Sequence, residues 1–324
     1  MQLAYALAWV VILVQQPQGA PIAPAPGPLD AFALQVALDR AGFSPGVIDG
    51  QPGPNTTRAL EAHVRQFGRE PATVPDPLVD YSITEADLSA GFVERMPADL
   101  MDQATLPALA YTSVQELLAE RFHTTPVFLQ KINPDAAFVA GESIRVPNVE
   151  PFLVPAPRLE TGAQPEPRPE GTSGRGGNRA GTPAPPAREV VVTVTASGGS
   201  LTVAEPGGKV LFFAPVTTGS TYDPLPIGEW KITGLQFSPE FRYNPELFWD
   251  ADPAHSKATL PPGPNSPVGV VWIDLSKEHY GLHGTPEPTR IGRSESHGCV
   301  RLTNWDAMRV AGLVRPGTRV VFTQ

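Results

Sequence analysis

Apolar positions along this chain change their period several times, and each change predicts a different kind of element. From Leu29 to Phe67 they recur at helical spacing. Leu34, Val36, Leu38 and Ala41 gather on one side, Gly42 stops that helix, and a second runs through Leu60, Val64 and Phe67. Asp49-Gly50 and Gly53-Pro54 supply the turn between them, with Asn55 or Thr56 placed to cap the second helix. Residues 69–107 are punctuated by proline and weakly periodic, which reads as a connector with short helices. Between Tyr111 and Asn148 two short amphipathic helices follow, flanked by extended ends. One presents Val114, Leu117, Leu118 and Phe122, the other Phe128, Leu129 and Ile132, with Thr125-Pro126 and Asn133-Pro134 as their limits.

From Glu189 the period becomes that of strands. Val190–Thr195, Leu201–Glu205, Lys209–Pro215, Val268–Leu275 and Arg319–Phe322 alternate or run apolar, with Gly207-Gly208 and Pro316-Gly317 as turns. Thr303 or Asn304 caps one helix through Met308 and Leu313. The pattern predicts a multidomain chain: a small helical module at 26–68, a small α+β module at 108–150, and a mostly-β sandwich or barrel-like domain with a peripheral helix at 189–324. Residues 151–188 are rich in Pro, Gly, Glu and Arg and poor in large apolar side chains. Such a segment cannot bury enough surface to offset its ordering entropy, so it is expected to be a disordered tether that leaves the two halves uncoupled. The apolar run Leu3–Val14 is too short to span a bilayer comfortably and suits the core of a secretory signal within residues 1–25, an uncleaved anchor being the alternative.

Composition narrows this further. A length of 324 residues suits two or three domains, and 39 prolines with 30 glycines point to linkers rather than one large core. A net charge of −9 argues against a nucleic-acid partner, which would want a basic face. One cysteine rules out an internal disulfide.

That cysteine, Cys299, stands in the stretch Tyr280–Leu302 with His297 two residues before it and His283 further upstream. A protonated thiol is a weak nucleophile, and a histidine within reach can take its proton. His297 is tied to Cys299 through Gly298, whereas His283 comes from a separate segment and is the favoured base. Gly298 lets the backbone turn sharply before Cys299 and aim successive N–H groups at one point, as an oxyanion requires. The rival readings are a small buried hydrophobe and a metal site built from His279, His283, His297 and Cys299. Tyr280 and Gly281 make a helix across His279 and His283 unfavourable, and no second cysteine offers a thiolate pair, so neither metal nor cofactor is expected.

Leu282-His283-Gly284-Thr285, followed by Ser296-His297-Gly298-Cys299-Val300-Arg301-Leu302, resembles the signature of the L,D-transpeptidases with the YkuD-type catalytic domain. The resemblance implies that Cys299 is the nucleophile, that His283 is its base, and that the carbonyl of Gly284 holds the imidazole in its working tautomer. His297, Gly298 and the Cys299 amide would shape the oxyanion site, with Ser296 supporting the loop. Arg301 would bind a substrate carboxylate, its pairing with Asp306 being the structural alternative. Gly46–Thr56 with Ala59-Leu60 is similar to the small helical peptidoglycan-binding domain, and 108–150 to a LysM module. The partners implied are peptidoglycan stem peptides and glycan strands, with a protein or amino acid as covalent acyl acceptor. The place implied is the periplasm or the outer cell wall. Hydrolysis of the same substrate by a carboxypeptidase or endopeptidase, and a non-catalytic wall-binding protein, are the alternatives.

Overall fold

The computed structural model describes residues 28–155, 158–161 and 189–324; the predicted leader and most of the predicted tether lie outside them. Helix α1 (Pro28–Arg40) is followed by α2 (Pro54–Phe67). The second helix starts earlier than its expected cap: Gly53 is the N-cap, Pro54 takes the first turn, and Asn55 instead donates from Nδ2 to the carbonyl of Ile291 at 2.9 Å. Strand β1 (Leu78–Ser82), the one-turn helices α3 (Glu85–Leu88) and α4 (Leu100–Gln103), α5 (Val114–Arg121), α6 (Pro126–Ile132) and β2 (Ser143–Pro147) follow. The expected β-α-α-β order does not appear: among the described residues no strand stands just before α5, and the strand that pairs antiparallel with β2 is β1, from the segment read as connector, with four helices between them. Thr125 caps α6 by accepting from the Phe128 N–H, as the Thr-Pro signal predicts.

The first two predicted modules are not separate bodies. Phe32 and Val36 of α1 share one apolar cluster with Leu117, Leu118, Phe122, Leu129, Ile144 and Val146. Residues 28–155 therefore contain a unit with a common core.

The remaining strands are β3 (Arg158–Thr161), β4 (Val191–Thr195), β5 (Ser200–Ala204), β6 (Val210–Pro215), β7 (Gly228–Phe237), β8 (Phe241–Tyr243), β9 (Ala258–Leu260), β10 (Val271–Leu275), β11 (Gly281–His283), β12 (Val300–Arg301) and β13 (Arg319–Thr323); helix α7 (Asn304–Leu313) lies between the last two. The start of the predicted tether is ordered, because Phe152 enters the core of the C-terminal strands and β3 pairs with β7. Nine strands form one sheet in the order β12-β11-β10-β7-β13-β4-β5-β6, with β3 on β7. The sheet closes on itself at one point. Thr217, just past β6, exchanges both backbone hydrogen bonds with Arg301 of β12.

Alternation drives this fold. Val192, Val194, Leu201, Val203, Val320 and Phe322 point inward and are almost fully buried, each worth about 1.5–3 kcal/mol of transfer free energy. Helix α7, capped by Thr303, covers β10, β11 and β6 and buries Trp305 and Val310.

The two halves are coupled, contrary to the expectation of a free tether. Residues 42–44 hydrogen-bond along the outer edge of β6, with Phe213 N–H to Gly42 O and Ser44 N–H to Phe213 O. Gln66 clamps both backbone groups of Val210. An edge strand is thereby covered. Asp39 takes a bidentate pair from Arg309 of α7, and Ser44 donates to Asp306. Local sequence periodicity carries no record of these contacts, because each joins residues far apart in the chain.

Candidate active site

Strands β11 and β12 run parallel, with Leu282 opposite Val300 and His283 opposite Arg301. Leu282 and Val300 are fully buried in the core. Side chains alternate along a strand, so His283 and Arg301 share the other face, and Cys299, one residue before β12, falls in line with them. Trp272 of β10 stacks on the His283 ring at 5.3 Å between centroids.

His283 is buried, and its Nδ1–H donates to the carbonyl of Gly284 at 2.7 Å. A carbonyl can only accept, so the proton is on Nδ1 and Nε2 keeps a free lone pair. Burial, reinforced by the Arg301 guanidinium and opposed by the Gly284 carbonyl, pushes the imidazole down to about 3. Burial also pushes the half-buried Cys299 thiol up, against a backbone hydrogen bond from Gly281 and the charge of Arg301. At rest the pair is therefore a neutral thiol and a neutral imidazole, and proton transfer belongs to the moment of attack. The thiol donates to the His279 carbonyl at 3.7 Å.

The loop before the cysteine is pinned at both ends. Ser296 N–H donates to Thr218 O at 3.0 Å, and Ser296 Oγ donates to the Cys299 carbonyl at 2.5 Å. Gly298 has φ +97°, and a Cβ there would stand 2.7 Å from the Tyr280 ring, so both conformation and space require glycine. His297 turns away toward Asp250, with Nε2 at 2.6 Å from its carboxylate, and packs edge-on against Phe248. His279 is exposed beside Glu278, so the residues weighed as metal ligands face different partners.

Arg301 is not paired with Asp306, which is buried and accepts from Ser44 Oγ at 2.9 Å. Its Nε is buried with no hydrogen-bond partner among the described residues. Trp272, Tyr280 and Asp250 border the site but were not singled out from sequence. Tyr280 adjoins the motif and was legible as a neighbour, whereas Asp250 lies 47 residues from His297 with no local signal. Tyr222 and Trp249 stack at 4.6 Å, both exposed, and Trp249 reaches His297 at 5.7 Å. A cleft of 830 Å³ opens between Tyr111, Glu116, Glu120 and Phe128 on one side and Glu287 and Thr289 on the other. Neither Cys299 nor His283 lines it, so chemistry rather than cavity size identifies the site.

Residues 189–322 match the model of the YkuD-type L,D-transpeptidase catalytic domain. This part of the chain is an L,D-transpeptidase domain. Over 62 residues the chain is 48% identical to the protein named L,D-transpeptidase YkuD in Bacillus licheniformis, covering 19% of this chain and 38% of that one. Its namesake in Bacillus subtilis is 28% identical over 210 residues, 64% of this chain and 92% of that protein. Among solved structures, an L,D-transpeptidase from Mycobacterium smegmatis is 21% identical, covering 42% of this chain and 59% of that chain with a TM-score of 0.34. At that score the overlap adds nothing to the reading. The chain thus spans less than two thirds of the first of these relatives and of the solved chain, and well over two thirds of the Bacillus subtilis protein. The L,D-transpeptidase domain holds all seven residues singled out from its motif within one loop and one strand pair.

Proposed function

We propose that the protein is a cysteine-dependent L,D-transpeptidase acting on peptidoglycan stem peptides. The observation that carries this is the buried His283, held by Gly284 with its lone pair on Nε2, on the same face of the β11–β12 pair as Cys299. Cys299 Sγ attacks the diaminopimelate carbonyl of a tetrapeptide stem while His283 Nε2 takes the thiol proton. The oxyanion is received by the Cys299 amide and the turn at His297-Gly298. Collapse breaks the C–N bond to the terminal D-alanine, whose nitrogen receives the proton from His283. An acceptor amine, on another stem, a protein or an amino acid, then attacks the thioester and restores the thiol. The unpartnered Nε of Arg301 supports a role for its guanidinium in holding a substrate carboxylate. In this reading the protein is exported, and its N-terminal unit meets the glycan strands of the wall.

Purified stem tetrapeptides, with and without an acceptor amine, test the proposal. Wild type should release D-alanine and form the acceptor adduct, and Cys299→Ala should abolish release while still binding sacculi. Near-normal release by that variant would remove the thioester mechanism. Release without adduct would leave a carboxypeptidase, and sacculus binding without release a wall-binding protein.

A further inference from the structure

Asn304, the first residue of α7, is wholly buried five residues after the cysteine. Its Nδ2 donates to Glu120 Oε1 at 2.8 Å and to Pro264 O at 3.0 Å, while Oδ1 accepts the Val270 N–H at 3.2 Å. The same Oδ1 occupies the space that a side chain on Gly284 would need, since a Cβ there would lie only 2.1 Å from it, and so it lines the residue whose carbonyl holds His283. Glu120 comes from α5 of the N-terminal unit, and its other oxygen accepts the Tyr111 hydroxyl at 2.5 Å.

A primary amide can present either end to its surroundings, and only its partners decide which. Glu120 is an acceptor, so it holds the NH₂ end of Asn304 toward itself. The carbonyl end must then face Val270 and Gly284. Without Glu120 only the Pro264 carbonyl still holds that end, and an amide that flips would set its NH₂ against the Val270 N–H and crowd Gly284, whose carbonyl holds His283 Nδ1. A carboxyl in a buried helix position costs desolvation that an apolar side chain would avoid. Burial pushes this one up to about 7, with Glu116 nearby adding to the rise against the Tyr111 and Asn304 donors.

We infer that Glu120 is a positioning residue for His283, acting through the orientation of Asn304 and the Gly284 peptide. The N-terminal unit then belongs to the catalytic apparatus as well as to substrate binding. Only the turnover arm of the test below rests on the L,D-transpeptidase reading.

The full chain is tested as Glu120→Leu, Glu120→Gln and Asn304→Asp. Cys299 alkylation by iodoacetamide is followed against pH, and D-alanine release gives kcat and KM separately. Glu120→Leu should alkylate about tenfold more slowly at neutral pH, with its profile moved to higher pH, and should lose about tenfold in kcat with KM little changed. Glu120→Gln, which keeps an acceptor for Asn304, should restore both. Asn304→Asp, which sets an acceptor against Glu120, should reproduce the loss. Wild-type alkylation in a folded Glu120→Leu overturns the inference. So does a Glu120→Gln variant as impaired as Glu120→Leu, or, if Glu120→Leu does not fold, wild-type alkylation in Asn304→Asp. A wild type that alkylates with the expected profile yet releases no D-alanine would sink the enzyme reading and leave this inference standing.

Discussion

Replacing Asp39 by alanine removes an acceptor on which three donors converge. Arg309 Nη1 and Nη2 reach its two oxygens at 2.9 and 2.8 Å, and His123 Nδ1 stands at 3.0 Å. The Asp39 side chain is wholly buried and that of Arg309 is 21% exposed. Burial alone would raise the carboxyl, but His123 and Arg309 outweigh it and hold it well below the ordinary carboxylate range. Breaking such a pair leaves an uncompensated cation, at a cost of about 3–5 kcal/mol. Water reaching the partly exposed guanidinium places this case near the lower end, at about 3 kcal/mol. At about 2–4 °C per kcal/mol, the melting temperature of the full chain should fall by roughly 6–12 °C. Thermal and urea melts at neutral pH measure it. Replacing both partners, as Asp39→Leu with Arg309→Met, should recover most of the loss, since an apolar pair of similar volume is often neutral. The sign with pH follows from the depressed value. The carboxylate's contribution is present above its unfolded pKa of about 3.9 and fades as pH falls through the folded one, so wild type and Asp39→Ala should draw together below about pH 4. A fall of under about 2 °C at neutral pH would refute the idea that this pair fastens the halves.

Two further outcomes concern the site and the interface. His283→Ala should slow Cys299 alkylation at neutral pH, whereas His297→Ala, whose ring is engaged by Asp250, should keep more of that rate and lose turnover instead; the reverse result reassigns the base. Burial pushes the carboxyls of Glu120 and Asp306 up to about 7, so their stabilising contribution is complete below the unfolded values near 4 and is lost as pH rises through about 7. Melts across this range should therefore show lower stability above pH 7, and Asp306→Asn, which still offers Ser44 an acceptor, should flatten the decline; an unchanged slope would count against a buried neutral Asp306.

The sequence by itself determined what depends on neighbours in the chain. Alternating apolar residues set β4, β5 and β13; the Thr-Pro and Thr303 caps started α6 and α7; and the motif from His283 to Cys299 marked the candidate nucleophile and base. These are legible because a strand face, a cap and a tight turn are each specified within a few residues. Tertiary structure decided which groups each residue meets. Arg301 has Asp306 within its own segment, yet Ser44 from the far end of the chain donates to that carboxylate, and the buried guanidinium Nε has no hydrogen-bond partner among the described residues. His297 adjoins the thiol in sequence but is turned to Asp250. The weakly periodic stretch read as connector supplied β1, while the predicted helical module supplied the cover over β6 and the seat of the pair with Arg309. Burial explains the difference. A polar group removed from water must find a partner wherever the fold supplies one, and that partner is set by packing across hundreds of residues rather than by the local pattern.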